Sequence, residues 1–179
     1  LKRYTQTSVY DAAVDRITKA FDAFEKVYVS FSGGKDSTTM LHLVMAEAER
    51  RNRTVGILVI DLEAQYTKTI QHISDTLDRY AKLADVHWVC LPMLLRNAVS
   101  NFQPRWCCWE PSAKELWVRE RPTHKDVVSD SKHYPFFEEK MEFEEFMVLW
   151  GVWYADGAKC CGFIGIRADE SLNRFRTIA

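Results

Sequence analysis

The chain lacks any excess of charge: 24 Lys and Arg against 25 Asp and Glu leave a formal net charge of -1 over 179 residues. That balance removes a global electrostatic case for nucleic acid or an anionic membrane surface, so only a local basic patch could argue for either. A long apolar run is missing too. The nearest, Phe146 to Ala155, is shorter than the ~18 residues a spanning helix needs, and the opening Leu1-Lys2-Arg3-Tyr4-Thr5 has no apolar region of the kind a secretory signal carries. A cytoplasmic location is the expectation. Nor is there a disulfide framework: four of the five cysteines fall in adjacent pairs, Cys107-Cys108 and Cys160-Cys161, which rarely bond to each other, so free thiols are expected. His42, His72, His87, His124 and His133 show no paired metal-ligand spacing, and no Ser/His/Asp arrangement can be inferred. Internal repeats and linkers are absent, so a single domain over 1–179 is expected, with an irregular lid or substrate segment around 94–135. Because it starts at Leu1 and stops at Ala179 within a charged stretch, the chain is expected to be a fragment of something longer.

What is present is ample material for a core. A composition 47% hydrophobic and 13% aromatic excludes intrinsic disorder and low-complexity scaffolding. Val9, Ala12, Ala13, Ile17, Ala20, Phe21 and Phe24 recur at helical spacing behind Ser8 and Asp11, which are placed as a capping box. Lys26 to Phe31 reads as a strand that ends at a sharp Ser32-Gly33-Gly34 turn, and Thr38 to Arg51 returns to helical period. The alternation repeats with a strand at Val55–Ile60, a helix at Tyr66–Ala84 and a strand at Val86–Leu91. After the irregular middle come a helix at Phe136–Tyr154, stopped by Asp156-Gly157, and a fourth core strand at Cys160–Ile166. Such β-α-β-α-β ordering predicts an α/β fold of three layers, α/β/α, around a mostly parallel sheet.

Between the first strand and its helix lies Ser32-Gly33-Gly34-Lys35-Asp36-Ser37. Two glycines permit positive φ and leave no Cβ in the way, so consecutive N–H groups can converge on an anion at the positive end of the next helix. The loop suits phosphate or pyrophosphate. It is neither a Walker A loop, since Asp36 follows Gly34-Lys35, nor the three-glycine dinucleotide fingerprint. Taken alone, the six residues also fit a plain glycine turn capped by Asp36 or Ser37.

In this position the loop resembles the PP-loop of the adenine-nucleotide α-hydrolase superfamily, which includes ATP pyrophosphatases and the sulfonucleotide (PAPS and APS) reductases. Two further segments are similar to the reductases' patterns: Asp61 with Tyr66 and Thr69, and Gly165-Ile166-Arg167-Ala168-Asp169-Glu170-Ser171-Leu172-Asn173-Arg174. Cys107-Cys108 with Lys114 weakly echoes a segment of the APS-reducing branch. The motifs span residues 30 to 174 in order, each after a strand. The chain therefore looks like a PAPS reductase-like protein, and the resemblance extends to the branch that includes the immunoglobulin-binding regulator proteins.

This resemblance implies a nucleotide lying across the carboxyl ends of the strands. Ser32, Gly33, Gly34, Asp36 and Ser37 would hold the phosphates of ATP or the phosphate or sulfate of PAPS or APS, with Lys35 as a point charge. Asp36 would help to hold Mg²⁺ if the ligand is a triphosphate. Asp61 lies where adenine or ribose would be met, and Arg167 and Arg174 would grip the anionic end; Lys35 and Arg167 are the catalytic candidates. Plainer alternatives stand beside these: Asp61 as a helix cap, Arg174 paired with Glu170 on a solvated helix, Lys114 as a surface lysine, and Trp150 and Trp153 as core.

The family's reductases act through a C-terminal Glu-Cys-Gly-x-His segment, which this chain lacks, and Cys160-Cys161 do not have the Cys-x-x-Cys spacing of the iron–sulfur enzymes. Buried structural thiols are expected rather than a cluster. Three functions remain open. One is action at the α-phosphate of an adenine nucleotide with release of pyrophosphate. Another is sulfonucleotide reduction with the reducing cysteine beyond Ala179, and the third is a non-catalytic nucleotide-binding regulator working through a protein partner.

Overall fold

A computed structural model describes residues 6–97, 99–100 and 102–166. Helix α1 (Val9–Ala23) starts at Ser8, whose Oγ accepts the Asp11 N–H at 3.0 Å, and it buries Ile17, Ala20 and Phe21. Strand β1 (Lys26–Ser30) then alternates, with Val27 and Val29 buried and Tyr28 half-buried on the other face. Next come α2 (Lys35–Arg51), β2 (Val55–Ile60), α3 (Thr67–Tyr80) and β3 (Ala84–Val89). The first five residues of β2 are buried, as a strand covered on both sides should be. In the middle of the chain lie β4 (Leu94–Arg96), β5 (Arg105–Cys107), a 3₁₀ helix (Pro111–Leu116) and β6 (Val127–Val128), followed by α4 (Phe143–Ala155) and β7 (Cys160–Ile164).

The main sheet has the order β6-β3-β2-β1-β7, and every neighbouring pair is parallel. One face is fitted to α4 by glycine. Tyr28 stands in register between Gly56 and Gly162, and its ring meets Trp150 at 5.0 Å and Tyr154 at 5.9 Å. A Cβ at Gly162 would lie 2.3 Å from the Tyr28 ring, and one at Gly56 would lie 2.6 Å from that of Tyr154. The two glycines are the space into which these rings pack. Helix α2, packed on β1 and α1, brings Leu41, Val44, Met45 and Ala48 to the core with Val27 and Val29. The α/β architecture with helices flanking a parallel sheet agrees with the expected pattern.

The element bounds differ from the expected ones in four places. Helix α2 starts at Lys35 rather than Thr38, so Lys35, Asp36 and Ser37 form its first turn. Helix α3 ends at Tyr80, because Leu83 already donates back to the Tyr80 carbonyl and accepts from Val55 N–H at the head of β2, and β3 starts at Ala84. Helix α4 starts at Phe143 rather than Phe136: Lys140 (φ 65°) donates to the Pro92 carbonyl and the Met141 carbonyl accepts from Leu94, which ties this stretch to the chain after β3. Strand β7, expected in the core, is the terminal strand of the sheet among the described residues, with Cys160 and Cys161 half-buried.

The middle segment is more built than its sequence suggests. Strands β4 and β5 pair antiparallel, Leu94 with Cys107 and Arg96 with Arg105. The Met93 carbonyl accepts from Cys108, and β6 extends the main sheet beside Trp88 and Val89. Among the described residues no helix is long and apolar enough to cross a membrane.

Candidate functional site

At the carboxyl edge of the sheet, Gly33 adopts φ +74°, a conformation costly for any residue with a Cβ. A Cβ there would also lie 2.8 Å from Ile73 Cγ1 and 2.9 Å from Thr69 Cγ2. Glycine is thus needed twice, for its backbone and for the closeness of α3. Gly34 is the N-cap of α2 and has no side chain with which to cap the helix's opening amides. Those N–H groups, with the positive helix end behind them, form an anion-binding edge. The hydroxyls of Ser32 and Ser37 are 3.0 Å apart, while Ser37 and Thr38 donate to the Gly34 carbonyl at 3.0 and 2.8 Å. His72 of α3 meets Thr38 Oγ1 at 2.9 Å. Lys35 is 82% exposed and pairs with Asp36 at 2.8 Å.

Thr69, singled out by its spacing from Asp61, therefore backs the loop through Gly33. Tyr66 caps α3 with its backbone, and its side chain is exposed. The end of β7 also comes to the loop: a Cβ on Gly165 would lie 3.3 Å from both Cα and N of Ser37. Gly165-Ile166 thus passes against the first turn of α2. Arg167 and Arg174, the two arginine candidates, lie outside the described residues.

Asp61 directly follows β2, at the carboxyl edge of the sheet. Its side chain is fully buried, and its carboxylate accepts from Glu63 N–H at 2.9 Å, Trp88 Nε1 at 3.2 Å and the Arg119 guanidinium. It does not cap α3, whose N-cap is Tyr66. Around it is a group of residues that periodicity did not single out. Glu63, buried and at φ 66°, accepts Trp109 N–H at 2.7 Å and Val118 N–H at 2.9 Å. Trp109, also at positive φ, donates through Nε1 to the Asp61 carbonyl at 2.6 Å. Arg119 and Arg121 lie over the Trp109 ring at 5.1 and 5.6 Å, and Arg121 lies over Trp117 at 4.7 Å. The only clue in sequence was the crowding of charged and aromatic residues at Trp117-Val118-Arg119-Glu120-Arg121. Lys114 sits 62% exposed beside Trp117, in agreement with the surface reading.

The cysteines do not form one site. Cys160 and Cys161 pair with Lys26 and Val27 at the amino end of the sheet, whereas Cys107 and Cys108 lie by Met93 and Leu91 beyond the carboxyl end of β3. Burial pushes Cys107 up to about 12, with Glu110 adding to the effect, and pushes Cys108 up to about 11. Cys160 and Cys161 are raised by burial as well. Thiols held this far up carry little thiolate, the form that attacks or ligates. Four thiols split between the two ends of a sheet do not fit an iron–sulfur cluster. Among the described residues no three His, Cys, Asp or Glu side chains group as metal ligands, and Asp36, the Mg²⁺ candidate, is engaged by Lys35.

The model of the phosphoadenosine phosphosulfate reductase domain matches residues 26–177. The chain belongs to the phosphoadenosine phosphosulfate reductase domain family. The match starts at the first residue of β1 and includes the loop, Asp61, Arg167 and Arg174. The chain is also 39% identical over 173 residues to the Uncharacterized protein YbdN of Escherichia coli (strain K12). That similarity covers 96% of this chain and 42% of YbdN, so the chain spans about two-fifths of the relative's length.

Proposed function

We propose that this PAPS reductase-family domain binds an adenine nucleotide, ATP or a sulfonucleotide, through Ser32, Gly33, Gly34, Lys35, Asp36 and Ser37, and acts at its α-phosphate; with ATP, water or an acceptor forms the new bond to that phosphorus as the bond to pyrophosphate breaks. The observation that carries this reading is the amino end of α2 behind the glycine N-cap Gly34, held in place by Gly33 against α3 and crossed at Ser37 by Gly165. In it the loop amides and Lys35 take the phosphates, while Arg167 and Arg174 neutralise charge from the segment that follows Gly165. Rate enhancement comes from positioning and from fixed positive charge where the leaving pyrophosphate gains negative charge. A triphosphate would bring Mg²⁺, and Asp36 would exchange Lys35 for it. Asp61 acts from behind, by fixing Arg119, rather than by touching the ligand.

A second reading, sulfonucleotide reduction, is favoured by the family match and by the 42% coverage of YbdN, which leaves room in such longer proteins for a reducing thiol. Burial raises the thiols of Cys107 and Cys108 and leaves little thiolate on them, and in this reading the reducing thiol belongs to the longer protein. The third reading is a nucleotide-dependent regulator acting on a protein partner.

Incubation with ATP and Mg²⁺, alone and with candidate acceptors, is expected to yield AMP and pyrophosphate. Tight binding of ATP, APS or PAPS without turnover would move the assignment to the regulator. Lys35→Ala combined with Arg167→Ala is expected to weaken nucleotide affinity at least tenfold. The exposed Lys35 side chain contributes within about 0.5 kcal/mol to stability, so Lys35→Ala by itself should unfold like the parent. Unchanged affinity in the double variant would overturn the site.

A further inference from the structure

We propose that Arg119 and Arg121, stacked on Trp109 and Trp117 beyond the ends of β2 and β3, form a second oxyanion subsite distinct from the Ser32–Ser37 loop. Its ligand is a tetrahedral oxyanion of the phosphate or sulfate class. The proposal rests on the nucleotide-binding reading only for one of its two sources, a further phosphate carried by the nucleotide itself; the other source is a free oxyanion.

The argument is one of unmet hydrogen bonding. Arg119 gives Nη2 to Asp61 and Nη1 to the Glu120 carbonyl at 3.3 Å, yet its Nε is buried with no partner. Arg121 goes further: its Nε is likewise buried and unpartnered, and among the described residues Arg121 makes ring contacts but no hydrogen bond or ion pair. Formal charge balances across Asp61, Glu63, Arg119 and Arg121, so the cluster can fold as it stands. Hydrogen bonding does not balance: the Glu63 oxygens accept from the Trp109 and Val118 amides and those of Asp61 from Glu63, Trp88 and Arg119, while the Nε donors of Arg119 and Arg121 meet neither carboxylate. A buried donor without an acceptor is unusual and costly.

Geometry points to the ligand class. The two guanidiniums sit over neighbouring indoles, 4.7 to 5.6 Å from the ring centres, and the fork of N–H donors that a guanidinium carries matches the paired oxygens of phosphate or sulfate. Position agrees. Arg119 is anchored to Asp61, the residue directly after β2, and both guanidiniums lie close enough to the Cys90 thiol, directly after β3, to act on it electrostatically. The phosphate loop follows β1, which neighbours β2. Both sites thus share the carboxyl edge of one sheet.

The test is calorimetry on the full chain with inorganic phosphate, AMP and adenosine 3′,5′-bisphosphate, repeated with Arg121→Gln and with Arg121→Lys, which keeps the charge and loses the fork. The parent is expected either to bind the bisphosphate at least tenfold more tightly than AMP, which makes the nucleotide the source, or to take up phosphate when AMP is saturating, which makes it a free oxyanion. Arg121→Gln should abolish that gain and Arg121→Lys restore only part of it. Protection of Arg121 from phenylglyoxal by phosphate, read by mass spectrometry on the parent, gives the same answer should Arg121→Gln fail to fold. Equal affinities in parent and Arg121→Gln, or no protection, overturn the subsite. If AMP and ATP do not bind at all, the nucleotide reading fails, and phosphate alone, through its dependence on Arg121, still decides the subsite.

Discussion

Two regions at the carboxyl edge of the sheet are held in opposite ways. The loop between β1 and α2 is mainly local: its shape comes from two glycines, a helix start and the backing of α3, and the Ser32 and Ser37 hydroxyls bond within the loop, with Thr38 alone reaching His72 of α3. The segment after β3 is held from far away in sequence, by Asp61 and Glu63 accepting from Trp109, Val118 and Arg119 across 46 to 58 positions. A site of the first kind is fixed by its own residues. One of the second kind collapses as a unit when a single buried carboxylate is lost.

The sharpest way to break the contrast is Asp61→Ala. Removing one member of a buried ion pair costs ~3–5 kcal/mol, because the other is left without its counter-charge. Here Arg119, Trp88 Nε1 and the Glu63 amide all lose their acceptor. Chemical denaturation should show the full loss, accompanied by altered emission from Trp88 and Trp109. A drop below 1 kcal/mol would mean that the segment does not depend on this carboxylate.

Gly33→Ala probes the local region. Positive φ for alanine and a Cβ 2.8 Å from Ile73 Cγ1 together predict a loss of roughly 2–4 kcal/mol. At Gly34, by contrast, a Cβ would meet only Ser32 Oγ, at 3.5 Å, so Gly34→Ala should cost under about 1 kcal/mol. Thermal unfolding of the pair distinguishes a loop in which the two glycines are equivalent from one in which only the first is structurally required.

This difference in wiring also explains what could be read from the residues alone. The strand–turn–helix around Gly33 carries a local pattern, so the loop, β1, β2 and the helical face of α2 were all apparent, with α2 misjudged by a single turn because Lys35, Asp36 and Ser37 read as loop. Nothing local in Asp61 tells that its partners are Trp88 and Arg119 rather than the first turn of α3, which it does not cap. Phe136 to Glu142 fits the Glu-rich start of the helix expected over Phe136–Tyr154, but pairing of Lys140 with Pro92 and of Met141 with Leu94 overrides propensity. Likewise β6 is two residues long, and pairing with Trp88 and Val89 makes it a strand.

Glu63→Gln is the finer probe of the distant region. The amide nitrogen would face a backbone N–H where an oxygen now accepts, leaving a buried donor unsatisfied at a cost of roughly 1–3 kcal/mol. Limited proteolysis should then cut between Trp109 and Arg121 faster than in the parent, with the bonds around Gly33 still protected. Cleavage that speeds up equally at both places would erase the distinction between the regions.

The smallest expected effect concerns the far end of α2, which carries the loop at its other end. Arg50 and Arg51 hold the buried Glu47 carboxyl at about 2, well below its ordinary 4.5. Arg51 also reaches Asp22 at 2.6 Å and the Thr18 carbonyl at 3.3 Å, joining α2 to α1. A carboxyl whose folded value is depressed stabilises the fold fully above about 4.5 and loses that contribution as pH falls toward about 2. Stability of the parent should therefore decline across this window, and Glu47→Gln should flatten the decline while being less stable than the parent at neutral pH. Since the ion pairs tie α2 to α1 rather than to the Asp61 cluster, acid should loosen the α1–α2 contact, read by hydrogen exchange, before it exposes Trp109. Exposure of Trp109 first would make the long-range network, not the helix pair, the part of the fold that yields to acid.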